Sequence, residues 1–365
     1  MLDRSKIMFW QPEEAPRLAP ARIPADQLQN GFIVRGSNWL GDAVMTFPCL
    51  KQLRTILPAG CPLIVLTPAG LAPLYRALKG TVDQIITLKD AHAFPAPDEM
   101  EAIRLTHARA GILFNNSFRD AVILRRAGVR CLYGASARFR SVLLKKSWKF
   151  PKRRDHELNR PHQAAKYLAM TYALGAEVWD GIMPAMTPTV DNADLKALLE
   201  NPHILAVAPG AAYGDGKRWN VSGFRQVAAW WLERHPAGLV LALGSKAERS
   251  GAGEAIEGLD PQRVRNLAGE TSIDELMLVL QKAQMCLAND SGIMHLSAAL
   301  GNQGVAVFGS TDPAATSPVS GKWKLLYDKL PCSPCFKRVC PLGTKACLAR
   351  ITPEDVVDLM VEMGV

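Results

Sequence analysis

No apolar run in the sequence approaches the roughly 18–20 residues that a membrane-spanning helix needs. A signal peptide is also missing, because Met8-Phe9-Trp10 is too short for an apolar core and prolines follow. The chain is therefore expected in the cytoplasm, where eight cysteines are thiols or metal ligands sooner than disulfides. There is no Gly-x-Gly-x-x-Gly after a strand-like run, which argues against a nicotinamide-dependent oxidoreductase. A Walker loop is absent too, since Gly-x-x-x-x-Gly-Lys-Ser/Thr never occurs. Acidic residues are scarce in one region: between Arg119 and Arg154 only Asp120 stands against twelve Lys or Arg. That local excess exceeds the net charge of +9 on the whole chain. A basic stripe of this kind suits phosphorylated partners, an anionic membrane surface or nucleic acid, and a plain solvated face is the alternative.

What is present fits a globular chain. With 365 residues and 48% hydrophobic content, two domains with sizeable cores are expected. Residues 1–30 carry Pro12, Pro16, Pro20 and Pro24 without apolar periodicity and read as a poorly ordered leader. From Gly31 the pattern changes. Strands are predicted at Phe32–Val34, Leu63–Leu66, Ile85–Leu88, Ile112–Phe114 and Cys131–Tyr133, with helices at Asp42–Leu57 (bent near Pro48) and His162–Leu174. The pattern then begins again with strands at Ile204–Ala208, Leu239–Leu243, Val264–Asn266, Met285–Leu287 and Val305–Phe308. Helices at Val221–Glu233, Ser245–Glu257, Ile273–Ala283 and Ile293–Leu300 alternate with them. Strands alternating with helices at this interval imply parallel sheets, so the fold class is α/β with two doubly wound, Rossmann-like units. The domains are drawn as 31–185 and 203–352, joined by a proline-containing linker at 186–202. A last helix within 353–365 closes the second unit or packs across to the first. The crevice at the carboxyl ends of the strands is the default ligand site.

Several loops at strand ends carry chemistry. Arg35–Asp42 ends in Gly41-Asp42 at a strand-to-helix junction, where a carboxylate is able to take a proton from a hydroxyl. Taken alone, Asp42 is as well explained as a helix cap. In Ala208–Trp219 a strand runs into a Gly-rich loop with Gly210, Lys217 and Arg218, a combination suited to a diphosphate. Glu248, just past Leu243-Gly244-Ser245, is placed to hold ribose hydroxyls or simply to favour a helix start. The run Asn289-Asp290-Ser291-Gly292-Ile293-Met294-His295 puts a helix N-terminus, a ready anion site, after a strand. Here Asn289 or Asp290 acting as an ordinary cap is the plainer reading. Phe308–Pro313 forms a second turn beside it.

In this order, Gly41-Asp42, Pro209-Gly210-Ala211 with Lys217-Arg218-Trp219, Gly244-Ser245-x-x-Glu248, Asn289–His295 and Phe308-Gly309-x-Thr311-Asp312-Pro313 resemble the lipopolysaccharide heptosyltransferases of glycosyltransferase family 9. Asn115-Asn116-Ser117-Phe118-Arg119 is similar to a further segment of that family, and the likeness runs from about Gly31 to the C-terminus. The resemblance implies a GT-B fold with an acceptor-binding N-terminal unit, a nucleotide-sugar-binding C-terminal unit and a central cleft. It implies inverting transfer of L-glycero-D-manno-heptose from ADP-heptose to a heptose of the lipopolysaccharide inner core. Addition of the first heptose, or of a different nucleotide-linked sugar, is the alternative. Asp42 matches the catalytic base, Lys217 the lysine on the donor phosphates and Glu248 the acid at the nucleoside. Asp290, Ser291, Gly292 and His295 match the donor-site turn.

Asp-x-Asp, the metal-binding motif of another large glycosyltransferase class, occurs nowhere in the chain. No metal or cofactor is therefore expected in catalysis, with Lys217, Arg218 and the helix start at Ser291–Gly292 supplying the charge instead. The basic stripe is expected to meet a phosphorylated lipid A-core acceptor and the anionic cytoplasmic face of the inner membrane, not nucleic acid. Cys332, Cys335, Cys340 and Cys347 fall within sixteen residues, which raises a structural zinc site beside reduced packing thiols or a redox-labile pair. Cys49, Cys61, Cys131 and Cys286 lie in apolar contexts and are expected in the core.

Overall fold

The computed structural model describes residues 14–150, 161–319 and 322–365. The chain divides into an N-terminal unit ending at Thr187 and a C-terminal unit from Pro188 to Val365. The first sheet comprises β1 (Phe32–Arg35), β2 (Leu63–Pro68), β3 (Gln84–Leu88), β4 (Ala110–Leu113), β5 (Cys131–Ala135) and β6 (Lys146–Trp148). Its order is β3-β2-β1-β4-β5-β6, and every pairing is parallel. The second holds β7 (Ile204–Ala208), β8 (Leu239–Ala242), β9 (Val264–Asn266), β10 (Met285–Asn289), β11 (Gly304–Phe308) and β12 (Trp323–Tyr327). Its order, β12-β11-β10-β7-β8-β9, is the same doubly wound topology read from the other edge.

Central strands β1, β7, β10 and β11 are buried at every position, as expected for parallel strands covered by helices on both faces. The sequence reading missed only the edge strands β6 and β12. There Lys146 and Ser147, or Lys324, interrupt the apolar run because one side of an edge strand is not covered. The expected helix over 42–57 forms as Leu40–Met45 and Phe47–Arg54, broken at Thr46 just before Pro48. Pro48 has no N–H to return to the preceding turn, so the break falls there.

In the C-terminal core Trp219, Phe224 and Trp231 pack with Leu205, Val207 and Val305. The last helix, Pro353–Glu362, buries Val356, Leu359 and Met360 in this same core. Each such aliphatic side chain contributes about 1.5–3 kcal/mol. Trp219 is fixed twice, its indole N–H donating to the Ile351 carbonyl (3.0 Å) and its backbone N–H to Asn289 Oδ1 (3.0 Å). The helix Ala193–Leu198 lies inside the segment read as a linker, with Leu195 buried.

Three residues of the leader are tied to the N-terminal unit. The Ala19 carbonyl accepts from the Trp148 indole (2.8 Å), the Arg22 carbonyl from the Tyr133 hydroxyl (3.0 Å), and Ala21 N–H donates to the Ala173 carbonyl (2.7 Å). Prolines prevent a helix but leave carbonyls free to be bound, and this segment uses them. Residues 1–13 lie outside the described residues, as do Lys152, Arg153 and Arg154 of the basic stripe. Among the described residues no helix is long and apolar enough to cross a membrane. Cys49, Cys61, Cys131 and Cys286 are all buried.

Candidate active site

In the second sheet the chain reverses its winding between β7 and β10, which pair with Leu205 opposite Met285 and Ala208 opposite Ala288. Loops leaving the carboxyl ends of such a pair turn to opposite faces and open a crevice. Gly210, Lys217 and Arg218 lie on the first of these loops; Asp290, Ser291 and Gly292 lie on the second. Asn289 ties the two together. Fully buried, it accepts from Trp219 N–H and donates through Nδ2 to the Pro209 carbonyl (2.7 Å). It is therefore not the helix cap. The helix Gly292–Ala299 has Ser291 at its N-cap without a side-chain cap bond, and a helix start of this kind suits an anion. The Ser291 and Ser310 hydroxyls are buried and have no hydrogen-bond partner among the described residues. His295 is buried one turn into the helix.

Lys217 closes a short turn, Asp215–Lys217, and its ammonium meets Asp290 Oδ2 at 2.7 Å. Thr311 donates to the same oxygen (2.5 Å), and Asp290 is only 2% exposed. Asp290 thus fixes Lys217 at the mouth of the fork. Arg218 is used differently: its Nε and Nη2 both donate to the Ala211 carbonyl (3.3 and 3.2 Å), bracing its own loop. Glu248 lies in a capping box, its Oε2 accepting from the Ser245 N–H and hydroxyl (2.8 Å each). Its Oε1 lies over Gly210, where a β-carbon would collide with the carboxylate. A side chain at 210 would displace that carboxylate, and the pair brings two of the sequence-named residues together.

The corresponding fork in the first sheet lies between β1 and β4, paired with Arg35 opposite Leu113. Asp42 sits in the first turn of the helix Leu40–Met45, whose N-cap position is taken by Trp39. The Tyr167 hydroxyl donates to Asp42 Oδ1 (3.1 Å). Burial first, and the Asp42 charge second, push the Tyr167 phenol well above its ordinary value, so it stays a donor. Beneath the loop, fully buried Arg35 pairs with Asp120 (2.8 Å) and donates to Asn38 Oδ1 (2.6 Å). Arg119 meets Asp120 from the other side (3.2 Å), while buried Arg140 donates to the carbonyls of Ala135 (2.9 Å) and Asn115. One carboxylate thus anchors two arginines at this edge. Burial lowers the Arg140 guanidinium to about 10, still charged at neutral pH. Tyr167 and Arg140 carried no motif in the sequence. Their roles come from long-range packing, and only the basic stripe hinted at the last.

The zinc expectation is not supported. Cys332, Cys335, Cys340 and Cys347 are free thiols lining one cavity, but among the described residues no group of three or more His, Cys, Asp or Glu is placed to hold a metal ion. Cys340 instead accepts backbone N–H groups, chiefly that of Lys345, which holds its thiol below the ordinary value.

Residues 100–346 match the family model for glycosyltransferase family 9 (heptosyltransferase). A lipooligosaccharide heptosyltransferase 2 of Campylobacter jejuni is 28% identical over 328 residues, covering 88% of this chain and 95% of the relative. The solved structure of E. coli ADP-heptose lps heptosyltransferase II superposes with a TM-score of 0.73 at 21% identity, covering 91% of this chain and 98% of that one. An E. coli heptosyltransferase with ADP-2-deoxy-2-fluoro heptose follows at 0.62 and 20% identity, covering 91% and 99%. The two doubly wound units are accordingly those of the GT-B fold. With its sheet forks, its ordered motifs and a family match over two thirds of its length, the chain belongs to glycosyltransferase family 9.

Proposed function

We propose that this enzyme transfers L-glycero-D-manno-heptose from ADP-heptose to a heptose of the lipopolysaccharide inner core, with inversion and without a metal ion. The observation that carries the reading is the fork between β7 and β10, where Lys217 is held beside an uncapped helix start and Glu248 lies over Gly210. Lys217 and the first N–H groups of Gly292–Ala299 meet the diphosphate, and Glu248 Oε1 meets the ribose. The acceptor hydroxyl attacks the anomeric carbon and gives its proton to Asp42. The bond from that carbon to the diphosphate breaks, and its electron pair leaves on the β-phosphate of ADP. Charge on the departing diphosphate is met by fixed positive groups, the role a divalent cation plays in other transferases.

The acceptor is phosphorylated and lipid-anchored, and the basic N-terminal edge supports a place at the cytoplasmic face of the inner membrane. Phe139 (93% exposed) and Val142 (85%) lie in the same stretch of chain as the exposed Arg138, Lys145 and Lys149. Phe139 has φ 61°, a left-handed conformation that costs a side-chain-bearing residue about 1–2 kcal/mol. Exposed apolar side chains in a cationic stretch suit an anionic lipid surface.

The test is incubation with ADP-heptose and defined truncated core acceptors, with EDTA present, and mapping of the product linkage. Transfer to an existing heptose supports the reading; transfer only to the heptose-free core, or a strict Mg²⁺ requirement, overturns it. Asp42→Asn is expected to retain ADP binding and lose transfer, and near-normal turnover would remove it as the base.

A further inference from the structure

The cysteine-bearing segment 331–347 is the one sequence feature that the donor site has not absorbed. It is laced to the Gly-rich loop and to Ser310 through both main chain and side chains. Gly216 N–H donates to the Arg338 carbonyl (2.8 Å), Ser310 N–H to the Gly216 carbonyl (3.0 Å) and Phe336 N–H to the Ser310 carbonyl (2.6 Å). The Tyr213 hydroxyl donates to the Phe336 carbonyl (2.7 Å), and Lys345 pairs with Asp215 (3.0 Å). The approach is so close that a β-carbon on Gly216 would meet the Lys337 carbonyl, and one on Gly214, at φ 140°, the Arg338 carbonyl.

Two cations share the Tyr213 ring. Lys217 Nζ lies 5.1 Å from its centroid and the Arg338 guanidinium carbon 5.4 Å. Both are within the range at which a cation is drawn to an aromatic face. Lys217 is thus held from two sides, by the Asp290 carboxylate and by a ring whose own hydroxyl is tied to the cysteine segment. Arg338 is exposed and has no carboxylate partner among the described residues, so its charge adds to that of Lys217 beside the same loop.

We propose that Tyr213 and Arg338 are positioning residues that set where the Lys217 ammonium meets the donor diphosphate, which makes segment 331–347 part of the donor site. This rests on Lys217 being the phosphate contact. Tyr213 supplies the surface against which the lysine stem is ordered. Arg338 holds the loop through its carbonyl and raises the positive potential through its guanidinium. Their contacts run to Lys217 and its loop, so their effect is expected on the phosphates.

Calorimetric binding of ADP and of adenosine to the full chain, at two salt concentrations, separates the possibilities. Tyr213→Leu should weaken ADP by roughly 3- to 30-fold, the span of one cation–π contact, and leave adenosine unchanged. Tyr213→Phe keeps the ring and loses only its tether, so it should fall between that variant and the parent. Arg338→Gln should weaken ADP and flatten the salt dependence of its affinity, and Arg338→Lys should restore the salt dependence. Equal loss of ADP and adenosine affinity would show a general loop defect and overturn the proposal. So would unchanged ADP binding in Tyr213→Leu and Arg338→Gln while Lys217→Ala loses it. If Lys217→Ala itself binds ADP normally, the phosphate role of Lys217 fails first and this inference with it.

Discussion

Replacing Gly210 with alanine adds one carbon, and the structure says where it goes. The backbone there is not left-handed, so the cost comes from the collision with the Glu248 carboxylate alone. Glu248 must swing away, and in doing so it gives up the bonds from the Ser245 N–H and hydroxyl, both at 2.8 Å. Hydrogen bonds to a charged group are worth about 1.5–3 kcal/mol each when well shielded, and at this partly exposed helix start about 1–2 kcal/mol in total is reasonable. For a unit of this size that corresponds to a fall in Tm of about 3–6 °C. On the proposed ribose role of Glu248, adenosine affinity should drop about tenfold. The diagnostic is a double-mutant cycle by urea unfolding. Once Glu248 is alanine there is nothing left to collide with, so adding Gly210→Ala should cost little more. If the two substitutions add independently, or if Gly210→Ala matches the parent in both Tm and adenosine affinity, the close approach of Gly210 and Glu248 is not what shapes this pocket.

Asp120→Ala leaves Arg35 buried without its partner and should destabilise the fold by about 3–5 kcal/mol in urea unfolding; a loss below 1 kcal/mol would mean that the pair is not holding the loop. Iodoacetamide at neutral pH should modify Cys340 first, as read by peptide mass mapping. Backbone N–H groups hold its thiol below the ordinary value while burial raises that of Cys347, and prior reaction of Cys347 would contradict this. Paired Phe139→Ser and Val142→Ser substitutions should cut binding to phosphatidylglycerol vesicles about tenfold or more without changing Tm. Binding that depends on the lysines alone would reject the apolar contact.

Much of the molecule was legible because buried parallel strands advertise themselves. Ile204–Ala208 and Met285–Leu287 are short, wholly apolar runs, and nothing but a covered strand suits them. Loops at their ends carried residue types with specific chemistry, so Gly210, Lys217, Glu248 and Asp290 stood out together as candidates before any geometry was known. Their division of labour was not. That Asn289 laces two loops, that Asp290 restrains Lys217 and that Arg218 turns back on Ala211 depend on contacts between residues far apart in sequence. Spacing carries no trace of these. The four clustered cysteines mark the opposite failure: a pattern suggestive of zinc where the thiols line a cavity without converging. Phe139 and Val142 were hidden in a stripe that caught attention only for its charge.

The leader is held at Ala19, Ala21 and Arg22 by two carbonyls and an amide, with no bond through the side chains of those residues among the described residues. A tether of this kind is indifferent to spelling and strict about length. Most substitutions between Ala19 and Arg22 leave all three bonds intact, whereas a proline at position 21 removes one outright. Inserting or deleting a single residue there slides the donors at Trp148 and Tyr133 out of step with their acceptors. Divergence along this strap is therefore expected in its residues and resisted in its count.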